Sequence, residues 1–190
     1  MERFINHKNL AYNQRVAAFY NARQDYDNDL TRDRALHHFN FVTLQPGQSI
    51  LDVATGTGNI AIYAAEIVGD RGSVIGIDIA TDLLKLAEQK IQEKNLKNIQ
   101  LLEIDAEEFN AEENQFDAIF CSYAIVLFAN ISSTLEKWYH WLKPGGFIAF
   151  TSFAEDSFLT PIKVEVCDRC GVNLPNLHYP LGTPERCQQL

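Results

Sequence analysis

From residue 49 to residue 153, short apolar runs alternate with stretches whose apolar residues recur at helical spacing, and this alternation constrains the fold more than any other feature. Ser49 to Val53 (SILDV), Ser73 to Asp78 (SVIGID), Ile99 to Ile104 (IQLLEI), Phe116 to Ser122 (FDAIFCS) and Gly146 to Phe153 (GFIAFTSF) are the short runs, several of them rich in β-branched or aromatic residues. Runs of that kind read as strands buried on both faces. Between the first and second, Ile60, Ala61, Ala64, Ile67 and Val68 form a helical stripe and Gly69 supplies the stop signal. Between the second and third, Leu84, Ala87 and Ile91 form another, with Thr81 as the expected N-cap and Asp82 in the first turn. The helix before the fifth strand is expected to open on a capping box, Ser133 to Glu136, to bury Leu135, Trp138 and Leu142, and to stop at Lys143-Pro144-Gly145-Gly146. Trp138 and Trp141 read most simply as helix packing. Alternating strands and helices imply right-handed βαβ crossovers, so the expected class is α/β, a doubly wound, Rossmann-like, mostly parallel sheet.

The remaining segments are read around that frame. Residues 1–45 carry two helix-like patches, around Arg15 to Asn21 and around Arg32 to Leu44, and are expected to form a helical lid or flank over the strand ends, closed by the turn Pro46-Gly47. Residues 46–190 are expected to form the ligand-binding domain as one structural unit, in keeping with a chain of 190 residues. After Phe153, Ile162, Val164 and Val166 alternate with Lys163 and Glu165 as in a strand, but Pro161 at a first helical position favours a helix up to Cys170.

Composition excludes several classes of partner. Sixteen basic against twenty-five acidic residues give a net charge of −9, which opposes phosphate backbones and anionic lipid, so neither nucleic acid nor a membrane surface is expected. The start MERFINHKNL has no apolar signal core, and no run approaches the ~20 apolar residues of a membrane span, so a cytoplasmic location is expected. Cys121, Cys167, Cys170 and Cys187 are too few and too unevenly spaced for a disulfide framework. Cys167-Asp168-Arg169-Cys170 has the spacing of half a zinc site, which His178 and Cys187 would have to complete, but the second close pair usual in such sites is missing and no metal is expected.

In open α/β sheets ligands sit outside the carboxyl ends of the strands, where the strand order reverses. The first strand ends at Asp52 and leads into Ala54-Thr55-Gly56-Thr57-Gly58-Asn59, whose glycines admit a close ligand at a helix N-terminus. The second ends at Asp78, twenty residues after Gly58, where a carboxylate can accept from both hydroxyls of a ribose. The third ends at Asp105-Ala106, suited to an exocyclic amine and a ring nitrogen.

The segments LDVATGTGN, GIDIA, DAEEF, FDAIFCSYA and LKPGGFIAF resemble, in order and spacing, the motifs of class I S-adenosylmethionine-dependent methyltransferases, over about residues 45 to 153. The flavour is similar to the small-molecule branch that includes the ubiquinone and menaquinone biosynthesis methyltransferases. The resemblance implies S-adenosyl-L-methionine as cofactor, S-adenosyl-L-homocysteine as product and a small-molecule acceptor. It sets Gly56 and Gly58 beside the methionine part, with Ala54, Thr55 and Asn59 in the same turn, and Asp52 toward the amino group. It further implies Asp78 at the ribose, Ile79 beside the ring, Asp105 and Ala106 at the adenine, and Cys121, Ser122 and Tyr123 facing the methyl group. Ala54 stands where the family often has glycine, and fits if its φ is negative. Tyr20 and Tyr26 lie where family members often close over the cofactor, although an aromatic on an amphipathic helix is usually core. Tyr123, His37 and His38 are the candidates for a general base.

Two other functions compete. Gly56, Gly58 and Ala61 also fit the nicotinamide-dinucleotide fingerprint, but that reading leaves Asp105-Ala106 and the Lys143-Pro144-Gly145-Gly146 turn unexplained. A non-catalytic nucleotide-binding or dimerisation module is the second. The antiparallel strand pair that family members carry after the fifth helix has no residues here to build it. The expectation is therefore either a truncated chain or a fifth strand with an open edge covered by another chain, as in a homodimer.

Overall fold

The structure, a computed structural model, describes residues 10–23, 25–157, 159–171 and 181–189. The flank contains α1 (Leu10–Asn21), α2 (Asp29–Leu36) and a 3-10 turn (His37–Asn40). Then follow β1 (Ser49–Val53), α3 (Asn59–Val68), β2 (Ser73–Asp78), α4 (Thr81–Glu93), β3 (Ile99–Glu103), β4 (Phe116–Ser122), α5 (Ile131–Trp141), β5 (Leu142–Thr151), α6 (Leu159–Arg169) and the single turn α7 (Pro184–Cys187). The five strands form one sheet in the order β3-β2-β1-β4-β5, and every pairing is parallel. The chain steps outward from β1 to β3 and then returns to the other side of β1, so the order reverses between β1 and β4. Among the described residues no antiparallel strand is present, and β5 lies at one edge of the sheet.

Alternate side chains of the same strands feed two cores. Ile50, Val74, Ala118 and Phe120 pack with Ile60, Ala61, Ala64, Ala65 and Val68 of α3 on one face. Leu51, Val53, Ile77, Ile119 and Cys121 pack with Trp138 and Trp141 of α5 on the other. Single truncations in either core are costly; loss of a buried tryptophan such as Trp138 removes about 3–5 kcal/mol. With both faces covered, the polar groups at the strand ends are left to face the crevice at the reversal.

Some boundaries differ from the sequence-based expectation. Helix α5 starts at Ile131, not at the Ser133 box: Asn130 is the N-cap, its Oδ1 accepting from Ser133 N at 3.0 Å. Asn is as good an N-cap as Ser, and the upstream cap adds most of a turn. In α4 the N-cap is Ala80, with Thr81 already helical, and Asn21 Oδ1 from α1 accepts from Asp82 N at 3.0 Å. Strand β5 starts at Leu142, earlier than Gly146, because the Lys-Pro-Gly-Gly segment is absorbed as an irregularity in the β4–β5 register between Phe116 and Ala118. The tail around Pro161 to Cys170 is helical, as expected. Cys167 and Cys170 are free thiols on or beside that helix, and His178 lies outside the described residues.

Candidate functional site

Two open hollows meet at the carboxyl ends of β1, β2 and β4, and share the walls Tyr20, Tyr26, Ala54, Gly56, Ser122 and Tyr123. The first, of about 810 Å³, runs over the ends of β2 and β3 and takes in Asp78, Ile79, Asp105 and Ala106. The second, of about 1010 Å³, opens beside the β1–α3 turn and takes in Asp52, Thr55, Thr57 and Asn59. Asp78 and Asp105 therefore share one cavity with the glycine turn, while Asp52 faces the adjoining one.

Asp78 organises the first hollow. Its Oδ2 accepts from the backbone N–H of Gly56 at 2.8 Å and its Oδ1 from that of Ala80 at 2.8 Å. Burial raises its pKa, against the lowering effect of the backbone bonds from Ala80, Gly56 and Ile79. Gly56 has φ +56, a left-handed conformation that glycine adopts without strain, and a Cβ there would stand 3.8 Å from both Leu83 and Tyr26. Asp105 Oδ1 accepts from Glu107 N at 2.9 Å, and its Oδ2 accepts from the Asn13 side chain of α1. This wall carries three carboxylates, those of Asp78, Asp105 and Glu107, and neither lysine nor arginine. Such a lining favours a ligand rich in hydroxyl and amine donors or bearing positive charge.

Asp52 is almost fully buried, at 1% exposure. Desolvation pushes its pKa up to about 7, opposed by hydrogen bonds to Oδ2 from Thr55 Oγ1 at 2.6 Å and Ala61 N at 3.1 Å. It thus sits close to the pH at which it gains or loses a proton.

The N-terminal flank supplies the outer wall. Tyr12, Val16 and Tyr20 recur four residues apart on α1 and line the first hollow with Asn13 between them. That spacing is visible in the sequence, and it is the signal that could have identified Tyr12, Asn13 and Val16 as site residues. Tyr20 and Tyr26 pack edge to face with centroids 5.4 Å apart, and burial raises both phenol pKa values, Tyr26 to about 12. A latch fixes the turn after α1: Asp27 Oδ1 accepts from Thr57 Oγ1 and from Lys90 Nζ, each at 2.9 Å, and Lys90 Nζ also reaches Asn59 Oδ1 at 3.2 Å.

Several residues singled out from the sequence stand elsewhere or in an unexpected conformation. Gly58, φ +76, lies beneath the turn and lines neither hollow; a Cβ there would come within 3.0 Å of Ala87 Cβ, so it serves the packing of α3 against α4. Cys121 is wholly buried in the α5-side core because alternation along β4 turns it inward and Ser122 toward the crevice; burial raises its thiol pKa. His37 is exposed, bonded to Asn40 at 3.0 Å, and lines neither hollow. His38 is also outside both, buried edge-on against Phe120 with Nε2 3.4 Å from Thr151 Oγ1, and desolvation lowers its pKa to about 4. Neither histidine is within the crevice where a base would act. Ala54 does not meet the condition of a negative φ: its φ is +56, the left-handed region, which costs an L-residue roughly 1–2 kcal/mol. Tyr123 has the same sign, φ +56, held by its N–H to Thr151 O at 3.2 Å and Oγ1 at 3.1 Å. Two strained non-glycine residues on one shared wall mark a site where geometry is kept at the expense of stability.

The fold, the reversal point and the carboxylates at successive strand ends define a Rossmann-like domain of the methyltransferase type. A crystal structure of an S-adenosylmethionine-dependent methyltransferase from Aquifex aeolicus matches it with a TM-score of 0.56 at 20% identity, over 86% of this chain and 89% of that one, which shows the shared fold. The model of the ubiE/COQ5 methyltransferase family matches residues 28–162, and the chain belongs to that family. Among its relatives, the demethylmenaquinone methyltransferase of Oceanobacillus iheyensis is 36% identical over 105 residues, 55% of this chain and 44% of the relative. The ubiquinone/menaquinone biosynthesis C-methyltransferase UbiE of Coxiella burnetii is 33% identical over 121 residues, 63% of this chain and 48% of the relative. The chain thus spans about half the length of these curated relatives. No helix among the described residues is long and apolar enough to cross a membrane.

Proposed function

We propose that the chain binds S-adenosyl-L-methionine across the two hollows and transfers its methyl group to a small-molecule acceptor, leaving S-adenosyl-L-homocysteine. The observation that carries this reading is that Asp78 and Asp105 line one cavity with the Gly56 turn. The residues fit the group: Asp78 suits the ribose hydroxyls, Asp105 and Ala106 the adenine, Ile79 its flat face, and Asp52 the ammonium of the methionine end. Bound there, the cofactor supplies a methyl group already activated on a sulfonium, so the protein's share is placement more than acid-base chemistry. Tyr20, Tyr26 and Tyr123, on the wall common to both hollows, keep water from the junction and confine the approach of the acceptor. Tyr123 is the candidate base that borders both cavities; no such role is proposed for His37 or His38.

The acceptor class is supported by family membership, since the relatives' names carry quinones, and by the net charge of −9, which disfavours nucleic acid. The test is production of S-adenosylhomocysteine, followed by mass spectrometry, when the protein is mixed with S-adenosylmethionine and a reduced quinone. Turnover lost in Asp78→Asn supports the reading. Binding of S-adenosylhomocysteine without turnover on any quinol or other small acceptor would leave a nucleotide-binding module and defeat the catalytic part.

A further inference from the structure

Charge is partitioned between the two hollows. The first presents carboxylates only, whereas the second presents Arg23 and Arg34 against the single carboxylate of Asp52. In a chain with 25 acidic and 16 basic residues, two guanidinium groups on one concave wall run against the overall balance.

The two arginines are not equivalent. Arg23 is engaged within the chain, its guanidinium carbon 5.2 Å from the centroid of Tyr26 and 5.8 Å from that of Phe19, with Nε 3.7 Å from Asp25. The Arg34 guanidinium makes no hydrogen bond or ion pair with any described residue, although Arg32, one half-turn earlier, pairs with Asp29 at 2.9 Å. A basic residue in the last turn of α2 suits the helix dipole, but a side chain turned wholly to water would serve the dipole equally. This one is half-buried and lines the hollow. Ala35, next in the chain, is buried against α3, so packed backbone sets where the Arg34 side chain leaves the helix.

The second hollow therefore offers a carboxylate that can accept from an ammonium and a planar, unengaged donor that matches a carboxylate in two-point geometry. We infer that Arg34 recognises a carboxylate in the second hollow, an inference that rests on the nucleoside reading of the first. Two ligands carry such a group, the amino-acid end of the cofactor and an anionic acceptor, and the arms of one experiment separate them.

Calorimetry would compare wild type with Arg34→Met and Arg34→Lys. S-adenosylhomocysteine is set against 5′-methylthioadenosine, which keeps the nucleoside and thioether but lacks the amino-acid end. Benzoate is set against benzyl alcohol, a planar pair with and without a carboxylate, with and without saturating S-adenosylhomocysteine. If the cofactor's carboxylate is the ligand, Arg34→Met weakens S-adenosylhomocysteine roughly ten- to a hundredfold, Arg34→Lys restores part of the loss, and methylthioadenosine is unchanged. If an acceptor's carboxylate is the ligand, both nucleosides are unchanged and the preference for benzoate over benzyl alcohol disappears. The inference is overturned if no ligand responds, or if methylthioadenosine weakens along with S-adenosylhomocysteine, since a loss shared by a ligand without a carboxylate is structural. Wild-type protein that binds neither nucleoside would defeat the reading of the first hollow instead, and the benzoate arm without nucleoside would then judge Arg34 alone.

Discussion

The backbone N–H of Gly56 donates to Asp78 Oδ2 at 2.8 Å, so the carboxylate at the end of β2 ties down the glycine turn at the end of β1. Its other oxygen holds Ala80 at the start of α4. One side chain thus shapes the cavity and forms part of its lining. Asp78→Ala leaves two partly buried N–H groups without an acceptor and is expected to cost about 2–4 kcal/mol of stability. Asp78→Asn keeps one acceptor oxygen and is expected to cost less, while still weakening nucleoside binding. Urea denaturation of both variants checks the order; equal stability of wild type and Asp78→Ala would show that the bonds to Gly56 and Ala80 are idle.

The two glycines of the turn are predicted to separate. Gly58→Ala forces a Cβ to 3.0 Å from Ala87 and keeps φ at +76, so a loss of about 2–3 kcal/mol is expected with the hollows unaltered. Gly56→Ala has 3.8 Å of room and suffers mainly from its φ, about 1–2 kcal/mol, but places a methyl group on the wall common to both cavities. Thermal melts and ligand titrations of the pair should therefore rank in opposite orders.

Ala54→Gly is expected to stabilise the protein. Relief of the left-handed alanine exceeds the added freedom of the unfolded chain, for a net gain of about 0.5–1 kcal/mol. A lowered melting temperature would contradict the account of strain at the junction.

Asp52 predicts a pH dependence with a defined sign. Burial raises its folded-state pKa to about 7, above the unfolded value, so the native state binds the extra proton between the two. Its contribution to stability is therefore fully present below pH ~4 and is lost as pH rises through about 7, by an amount on the order of a few kcal/mol. Asp52→Asn should flatten this slope in denaturation curves taken from pH 5 to 8. A ligand ammonium beside Asp52 favours the carboxylate, so binding near pH 6.5 should release protons, seen as a dependence of calorimetric heat on the buffer's ionisation enthalpy. Heats independent of the buffer would place the ammonium elsewhere.

The frame of the fold was legible because β1, β2 and β4 are buried on both faces and so read as unbroken apolar runs. Boundaries were less so: Asn130 and Ser133, both good N-caps, stand three residues apart, and the helix is capped by the first. In the site, Asp78 and Asp105 could be read from their places at strand ends, which topology brings together. Cys121 and Ser122 could not be told apart, since a run buried on both faces hides which side each residue takes. The sign of φ at Ala54 could not be read from the sequence, because the turn it belongs to is tied to a neighbouring strand, Thr55 N–H donating to Ile77 O at 2.9 Å. Arg34 was missed because nothing local distinguishes it from Arg32 on the same helix.

Asp78, Asp105 and the Gly56 turn bound one cavity, and calorimetry with S-adenosylhomocysteine, with NAD as control, asks whether that cavity takes a nucleoside. Saturable binding at one site per chain is expected, with no comparable heat from NAD and a loss of roughly tenfold or more in affinity on Asp105→Ala. Absence of S-adenosylhomocysteine binding by the folded wild-type protein, or tighter binding of NAD, would contradict it.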